Sequence, residues 1–446
     1  LVLSCNEGKL PKGVNDSSFI PYSLRKAYGL TTVDNKVAIS AYYFYRLLQR
    51  TGDITLTYNN ATEEGQTGEM SRFMLQMMVE GSQPIERRTL VAGQKPQRPT
   101  FESIAKEEAH LDTLEGMGLI SPTFINTYQR CHKKFYYRYV EGLTEPDEID
   151  EDEVDNRVFG NIFHRAAELF YQHFANPDDL EPDYKGALKL KHTLCITQGD
   201  LDNALKDKLL IDRIVEQAFR EELFKVDNND YRPKYNGLQL INREVIISYL
   251  RQLINIDRRL APFYILGLEL EATTYIEVKT RNGIKKMRIG GMIDRLDAVA
   301  ANGNPGMSNL AERIRVIDYK TGYAPTKHPA ELNEVFGIDS LAFQKHCDYY
   351  LQSMLYSIIV KRSRKLNPSE APVAPGLLFI QNAGAKDYDP ILQMGRNPIN
   401  DISEYDAEFW ERLQGVLNEI YDPSIPFSPT DERDRCTFCP YAALCH

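Results

Sequence analysis

Gly290-Gly291-Met292-Ile293-Asp294-Arg295-Leu296-Asp297 and, further on, Val316-Ile317-Asp318-Tyr319-Lys320-Thr321-Gly322 decide how this chain reads. Around both segments the hydrophobic pattern has period two, which predicts strands over Lys286–Val299 and Arg313–Tyr319. Residues two apart on a strand share a face, so Asp318 and Lys320 project together. Asp294, on a neighbouring strand, completes a cluster of two carboxylates and one ammonium. That cluster suits phosphodiester hydrolysis. A hard cation such as Mg²⁺ takes oxygen ligands and keeps several waters. Bound, it acidifies a water and neutralises charge on the attacked phosphate. Lys320 is suited to orient that water or to stabilise the developing charge. The glycine pair before Asp294 admits a close approach of backbone or nucleic acid. A lone Asp-x-Lys is common and is usually a surface ion pair. The weight rests on the two segments occurring in this order, both on strands.

Outward from these strands the chain reads as an α/β protein. A third strand is expected at Glu269–Val278 and a fourth at Gly376–Gln381. Helices are expected at Val158–Phe174, within 200–226 and 242–260, at Phe343–Arg364 and at Ala407–Ile420. Ser121-Pro122 opens a helix, because Ser caps well and Pro suits the first helical position. Phe124, Tyr128, Cys131 and Phe135 then recur on one helical face. An acidic stretch from Glu145 to Asp155 reads as an exposed loop. Residues 1–85 read as a smaller α/β piece, with strands at Leu1–Ser4 and Ile54–Tyr58 and helices at Ala38–Arg50 and Ser71–Val79. Residues 86–120, with the polar run Gly93–Pro99, read as a linker. The chain opens without an initiator Met, so we expect it to be a piece of a longer protein.

The 446 residues carry a formal charge of −10. That sign opposes a simple nucleic-acid binder but does not exclude one, because phosphate contacts depend on local basic stripes. Lys133-Lys134-Phe135-Tyr136-Tyr137-Arg138-Tyr139 mixes cations with aromatics, as a single-strand stacking surface does; a solvated helix face is an equally good reading. Lys361-Arg362-Ser363-Arg364-Lys365 reads as a solvated helix end. No run of about 18 apolar residues occurs, so no spanning helix is expected. No signal peptide is read at the start. A reduced, cytoplasmic setting fits the seven unevenly spaced cysteines.

At the paired strands the sequence resembles the PD-(D/E)xK nucleases, in particular their RecB-type exonuclease domains. Two further motifs join the resemblance in family order. Gly160-Asn161-Ile162-Phe163-His164 looks like the family's Gly-x-x-x-His helix, whose His binds metal. Gln352-Ser353-Met354-Leu355-Tyr356 looks like its Gln-x-x-x-Tyr helix. The resemblance implies a restriction-endonuclease-like central mixed sheet flanked by helices over residues 121–446. It implies that His164, Asp294, Asp318 and the Tyr319 carbonyl hold Mg²⁺ or Mn²⁺. Lys320 would serve the attacking water, and Gln352 and Tyr356 would position substrate. Glu168, one turn beyond His164, is expected to orient it or share the metal. Taken singly, His164 reads as a partly buried helix histidine and the Gln352–Tyr356 pair as an ordinary helix surface.

Cys436-Thr437-Phe438-Cys439-Pro440 and Cys445 form a Cys-x2-Cys-x5-Cys tail. Three thiols so close in sequence point to a metal, and either zinc or an iron–sulfur cluster takes four cysteines. Cys131 alone reads as a small buried hydrophobe. The spacing of Cys131, Cys436, Cys439 and Cys445 resembles that of AddB-like helicase–nuclease subunits, which implies a [4Fe–4S] cluster clamping the first helix of the nuclease domain to its last residues.

The front segment resembles the end of a helicase-like domain. Leu1–Pro11 looks like the strand and loop after motif V of superfamily 1, and Arg46–Arg50 with Ile54–Tyr58 like a degenerate motif VI. The chain contains no Gly-x-x-x-x-Gly-Lys-[Ser/Thr] loop for ATP. The expected whole is therefore a Mg²⁺-dependent DNA exonuclease acting on single-stranded ends with a partner helicase–nuclease subunit, in break repair. The rival expectations are a non-catalytic DNA-binding module and a structural zinc protein with incidental acidic strands.

Overall fold

The computed structural model describes residues 1–446 apart from 11–19, 61–67, 82–83, 90–101, 145–153, 184–187, 227–230, 301–310, 326, 338–344, 386–387, 438 and 446. The expected polar linker run Gly93–Pro99 and most of the acidic loop Glu145–Asp155 lie outside the described residues. The chain divides into two compact units, Leu1–Gln97 and Arg98–His446.

The first unit holds α1 (Tyr22–Ala27), α2 (Val33–Leu48) and α3 (Arg72–Glu80). α2 starts earlier than the hydrophobic pattern suggested, because Thr32 and Asn35 form a capping box ahead of Val33. Phe44 and Phe73 are buried against each other, with ring centroids 5.0 Å apart. The two expected strands shrink to a single parallel bridge, Val2 with Leu56.

The second unit opens with α4 (Glu108–Glu115) and α5 (Pro122–Arg130), whose N-cap is Ser121 as expected. α6 (His132–Phe135) runs on into a π-helical turn, Tyr136–Val140. α7 (Asn156–Gln172) buries Ile162, Phe163, Ala166, Ala167, Phe170 and Tyr171 as one stripe. Short strands β1 (Leu180–Pro182), β2 (Leu188–Leu190) and β3 (Leu194–Ile196) follow. The helical region near 200–226 is two helices, α8 (Gln198–Lys206) and α9 (Lys208–Glu222), separated where Asp207 leaves helical geometry and caps α9. α10 (Gly237–Leu260) leads to the sheet.

The sheet has the order β3-β4-β5-β6-β7, with β4 (Phe263–Thr280), β5 (Gly283–Ala300), β6 (Ala311–Lys320) and β7 (Val373–Phe379). β3, β4, β5 and β6 are antiparallel in succession, whereas β7 lies parallel to β6. The connection between those parallel strands carries α11 (Leu332–Val335) and α12 (Cys347–Arg362). β8 (Gln393–Met394), β9 (Asn397–Pro398), α13 (Asp406–Tyr421) and α14 (Ala442–Cys445) complete the unit. This is the mixed sheet flanked by helices that the sequence suggested.

Two hydrophobic cores cover the two faces of the sheet. Val316 and Leu377 face a core built from α5, α12 and α13. Ile317, Tyr319 and Leu378 face a core built from α7, α9 and α10. α12 is buried nearly all round, which suits a helix held between the sheet and its neighbours.

A buried ionic ladder runs under the second core. Arg295 meets Asp257 at 2.6 Å and Asp297 at 2.9 Å, and Arg315 meets Asp297 at 2.7 Å, with all four side chains essentially inaccessible. Asp297, the second acid of the Gly-x-Ile-Asp-Arg-x-Asp segment, therefore belongs to the frame of the fold.

Candidate active site

The site lies where two strands part. β5 and β6 pair from Ala300/Ala311 to Arg295/Ile317 and no further. Asp294 and Asp318 are the next residues on each strand, so both carboxylates stand in the fork. Side-chain alternation also breaks here. Ile293 belongs to one core, while Arg295, two residues on, packs against Tyr171, Phe263 and Tyr319 in the other. β4 shows the same break: Leu268 faces one core and Leu270 the other. Glu269, between them, has φ of 43°, in the left-handed region. A non-glycine residue held there is strained, and such strain gathers at functional sites.

His164, Glu269 and Asp294 form a group whose donor atoms all lie within 4.8 Å of one another. α7 delivers the histidine: Nδ1 is 3.4 Å from Asp294 Oδ2, and Nε2 is 3.1 Å from the Tyr319 carbonyl oxygen. Asp294 is fixed from the other side, where Oδ2 accepts the Tyr319 main-chain N–H at 2.7 Å. Asp318 stands outside that trio. Its Oδ2 is 2.6 Å from Lys320 Nζ, and its Oδ1 accepts Gln352 Nε2 at 2.8 Å. Lys320 also lies over the Tyr349 ring, 4.4 Å from its centroid.

The electrostatics follow from three acids in little solvent. Burial opposes charge on His164, but Asp294, Asp318 and Glu269 outweigh it and raise its pKa to about 9. Burial and the nearby Asp294 charge raise Glu269 to about 7. Burial and Asp294 also raise Asp318, against the pull of Lys320. Burial disfavours the Lys320 ammonium, yet Asp318 holds it above its ordinary value. Asp294 goes the other way: despite burial, His164 and the Tyr319 N–H keep it low. A pocket that takes up protons in this way is short of positive charge.

Sequence reading had singled out His164, Asp294, Asp318, Tyr319, Lys320, Gln352 and Tyr356, and all seven converge here. Tyr356 is buried, with its hydroxyl against Gly291; a β-carbon on that glycine would collide with it. This gives one half of the glycine pair a purpose within the protein. The other half, Gly290, has φ of 141°, and a β-carbon there would run into the Ala272 backbone. Glu269 was missed. In Leu268-Glu269-Leu270 simple alternation sends Glu269 out to solvent, and only the left-handed turn of the backbone brings it in. Glu168 does not orient His164. It is bound to Arg165 at 2.6 Å and to Gln172 and Lys189, each at 3.1 Å.

The cysteines of the tail meet the helix that opens the domain. Cys131 caps α6 through its sulfur, and the charges of Cys131, Cys439 and Cys436 all reach the Cys445 thiol, which burial raises above its ordinary pKa. Tyr137 donates to the Leu444 carbonyl at 3.2 Å and Tyr441 to the Leu143 carbonyl at 2.7 Å. The aromatics of the Lys133–Tyr139 run thus pack inward, on Phe427 and Tyr441. They serve the attachment of the tail, while Tyr136, Tyr137 and Tyr139 stay partly exposed. None of the seven cysteines, all among the described residues, forms a disulfide.

A forked mixed sheet carrying Asp294 on one strand and Asp318-x-Lys320 on the next defines a restriction-endonuclease-like protein. The profile of the PD-(D/E)XK nuclease superfamily matches residues 119–446, and the chain belongs to that superfamily. Its members are generally nucleases and usually use divalent metals such as Mg²⁺. No curated protein matches the chain. No helix among the described residues is long and apolar enough to cross a membrane.

Proposed function

We propose that this chain is a Mg²⁺-dependent deoxyribonuclease that removes nucleotides from single-stranded DNA ends. The observation that carries the reading is the convergence of His164, Glu269, Asp294, Asp318 and Lys320 in one fork of the sheet. The donor set fits a hard divalent ion, being one imidazole and carboxylate oxygens. His164, Glu269 and Asp294 would hold it, with Asp318 and the Tyr319 carbonyl beside them. When bound, the metal supplies a more acidic water and compensates phosphate charge. The protein's own groups do the rest. Lys320, steadied by Asp318 and the Tyr349 ring, presents an ammonium to the attacking water or to charge developing on phosphate. Gln352 holds the Asp318 carboxylate in place, and Tyr356 keeps Gly291 and its strand in register with α12.

The test is Asp318→Ala, assayed on end-labelled single-stranded DNA with Mg²⁺ or Mn²⁺. We expect cleavage to drop by at least about a hundredfold. Cleavage at the wild-type rate overturns the assignment of Asp318 to the cutting site, and wild type that cleaves nothing with either metal leaves a non-catalytic DNA-binding module.

Cys131, Cys436, Cys439 and Cys445 we assign to a [4Fe–4S] cluster. The resemblance to AddB-like subunits and the electrostatic reach of Cys131, Cys436 and Cys439 to Cys445 support this reading. The cluster would tie α6 to the tail, so its binding energy would contribute to folding. Anaerobically purified protein with iron, sulfide and visible absorbance supports this; colourless protein with stoichiometric zinc sinks it. We further propose a reducing, cytoplasmic setting and a role within an AddB-like helicase–nuclease in break repair, residues 1–85 being the end of a helicase-like domain. Co-purification with a helicase–nuclease subunit from the source cells tests that placement.

A further inference from the structure

We propose that an arginine-lined pocket beside α10 is a second phosphate site, which grips the backbone of the single-stranded DNA cut at the fork; it rests on the nuclease reading above. The pocket has a volume of about 640 Å³. One wall is a continuous stripe of α10 that includes Arg251, Gln252, Asn255, Arg258 and Arg259, and the other is formed by Gln198 at the start of α8 and by Ala383–Gly384. None of its lining residues is acidic, and every lining side chain beyond alanine and glycine can donate a hydrogen bond.

Arg251 is not saturated by the fold. Arg251 Nε is shielded from solvent and has no hydrogen-bond acceptor among the described residues. Arg258 meets Asp202 at 2.5 Å, and Arg259 donates through Nη1 to the Ala385 carbonyl at 3.1 Å. A guanidinium has five donors, so Arg251 and Arg258 retain others for a ligand, and Arg259 adds its charge to the wall. In a chain of net charge −10, Arg251 and Arg259 keep the lining of this cavity positive even with Arg258 balanced by Asp202. An anion with several acceptor oxygens is the matching ligand, and guanidinium matches phosphate in shape as well as charge.

The position of the pocket selects DNA as the source of that phosphate. Ala383 and Gly384 directly follow Gln381 and Asn382. Gln381 donates to the Thr321 carbonyl at 2.7 Å, and Asn382 accepts the Ala324 N–H at 3.1 Å. Thr321–Ala324 is the loop that leaves Lys320. On α10, Tyr249 packs on Phe163, the residue before His164, with ring centroids 6.2 Å apart. The pocket therefore adjoins elements that frame the fork on two sides, and a strand leaving the fork over this loop reaches it.

The experiment is fluorescence anisotropy in EDTA, where binding is read without cleavage, using labelled single strands of about 4 to about 20 nucleotides. We compare wild type, Arg251→Ala/Arg259→Ala and the rim variant Asn255→Asp, each checked for unchanged thermal unfolding. Wild type should gain affinity with length. Both variants should bind the longest strand about tenfold more weakly and the shortest one as wild type does, and the double variant's salt dependence should flatten by about one to two in log–log slope. Should the arginine pair destabilise the fold, the exposed Asn255→Asp change carries the test alone. Folded variants that bind long strands like wild type overturn the proposal. So does stabilisation of wild type by inorganic phosphate without any change in strand affinity, which would assign the pocket to free phosphate. Retained cleavage in Asp318→Ala would overturn the assignment of the fork as the cutting site and leave this measurement standing.

Discussion

Asp294 accepts the main-chain N–H of Tyr319 at 2.7 Å, so the carboxylate on β5 is aimed by the backbone of the strand that carries Asp318 and Lys320. The bond forms just past the last β5–β6 pair and sets how far the fork opens. Charge and geometry can be separated here. Asp294→Asn keeps an oxygen for the N–H and should fold like wild type while losing at least about a hundredfold in cleavage. Asp294→Ala leaves a buried N–H without a partner and should also lose about 1–3 kcal/mol in denaturant unfolding. Equal stability of the two would show that this bond does not hold the fork.

Metal and protons compete for the same groups. In metal-free protein His164 is raised to about 9 and Glu269 to about 7. The folded state then binds more protons than the unfolded chain between about pH 4.5 and 9, so the stability due to these protons is complete at low pH and is lost as pH rises through each folded value. Melting in EDTA, taken relative to His164→Gln/Glu269→Gln, should fall across that window. The stabilisation produced by added Mg²⁺ or Mn²⁺ should grow over the same range, because binding displaces the protons. A metal-induced shift that is flat from pH 6 to 9 would argue against these two residues as ligands.

Glu269→Gln should weaken metal dependence more than it weakens the fold. The prediction is an increase of about tenfold in the metal concentration needed for half-maximal cleavage. A variant with an unchanged metal titration would remove Glu269 from the site.

Gly291 faces the Tyr356 hydroxyl across the space between β5 and α12. Gly291→Ala should cost about 1–3 kcal/mol through overpacking. Adding Tyr356→Phe removes the nearest atom and should recover part of that cost. A double-mutant cycle by denaturant unfolding reads the coupling, and strict additivity would contradict the contact.

Arg295→Met leaves Asp257 buried without its guanidinium and weakens the support of Asp297, at a cost of about 3–5 kcal/mol. Asp257→Leu/Arg295→Met removes both charges of that pair and should regain much of it, read as a higher melting temperature than the single variant. A double variant no more stable than the single one would assign the loss to packing.

Much of this protein was legible in its sequence, because period-two patterning, a Ser-Pro helix start and acids at fixed positions on strands act locally. Asp294, Asp318 and Lys320 stood out for that reason, and the mixed sheet with flanking helices followed from the order of the elements. What local pattern does not contain, only the tertiary structure decided. Glu269 is brought in by a left-handed residue that breaks the alternation of β4, which an ideal two-residue period cannot express. Glu168, one helical turn from His164, is claimed by Arg165 and Lys189, whose approach depends on how α7 packs. The aromatics after Lys133 face inward because the C-terminal tail returns to cover them. Sequence spacing specifies which side chains share a face of one element; which face meets which, and where strands part, is set by contacts between residues far apart in the chain.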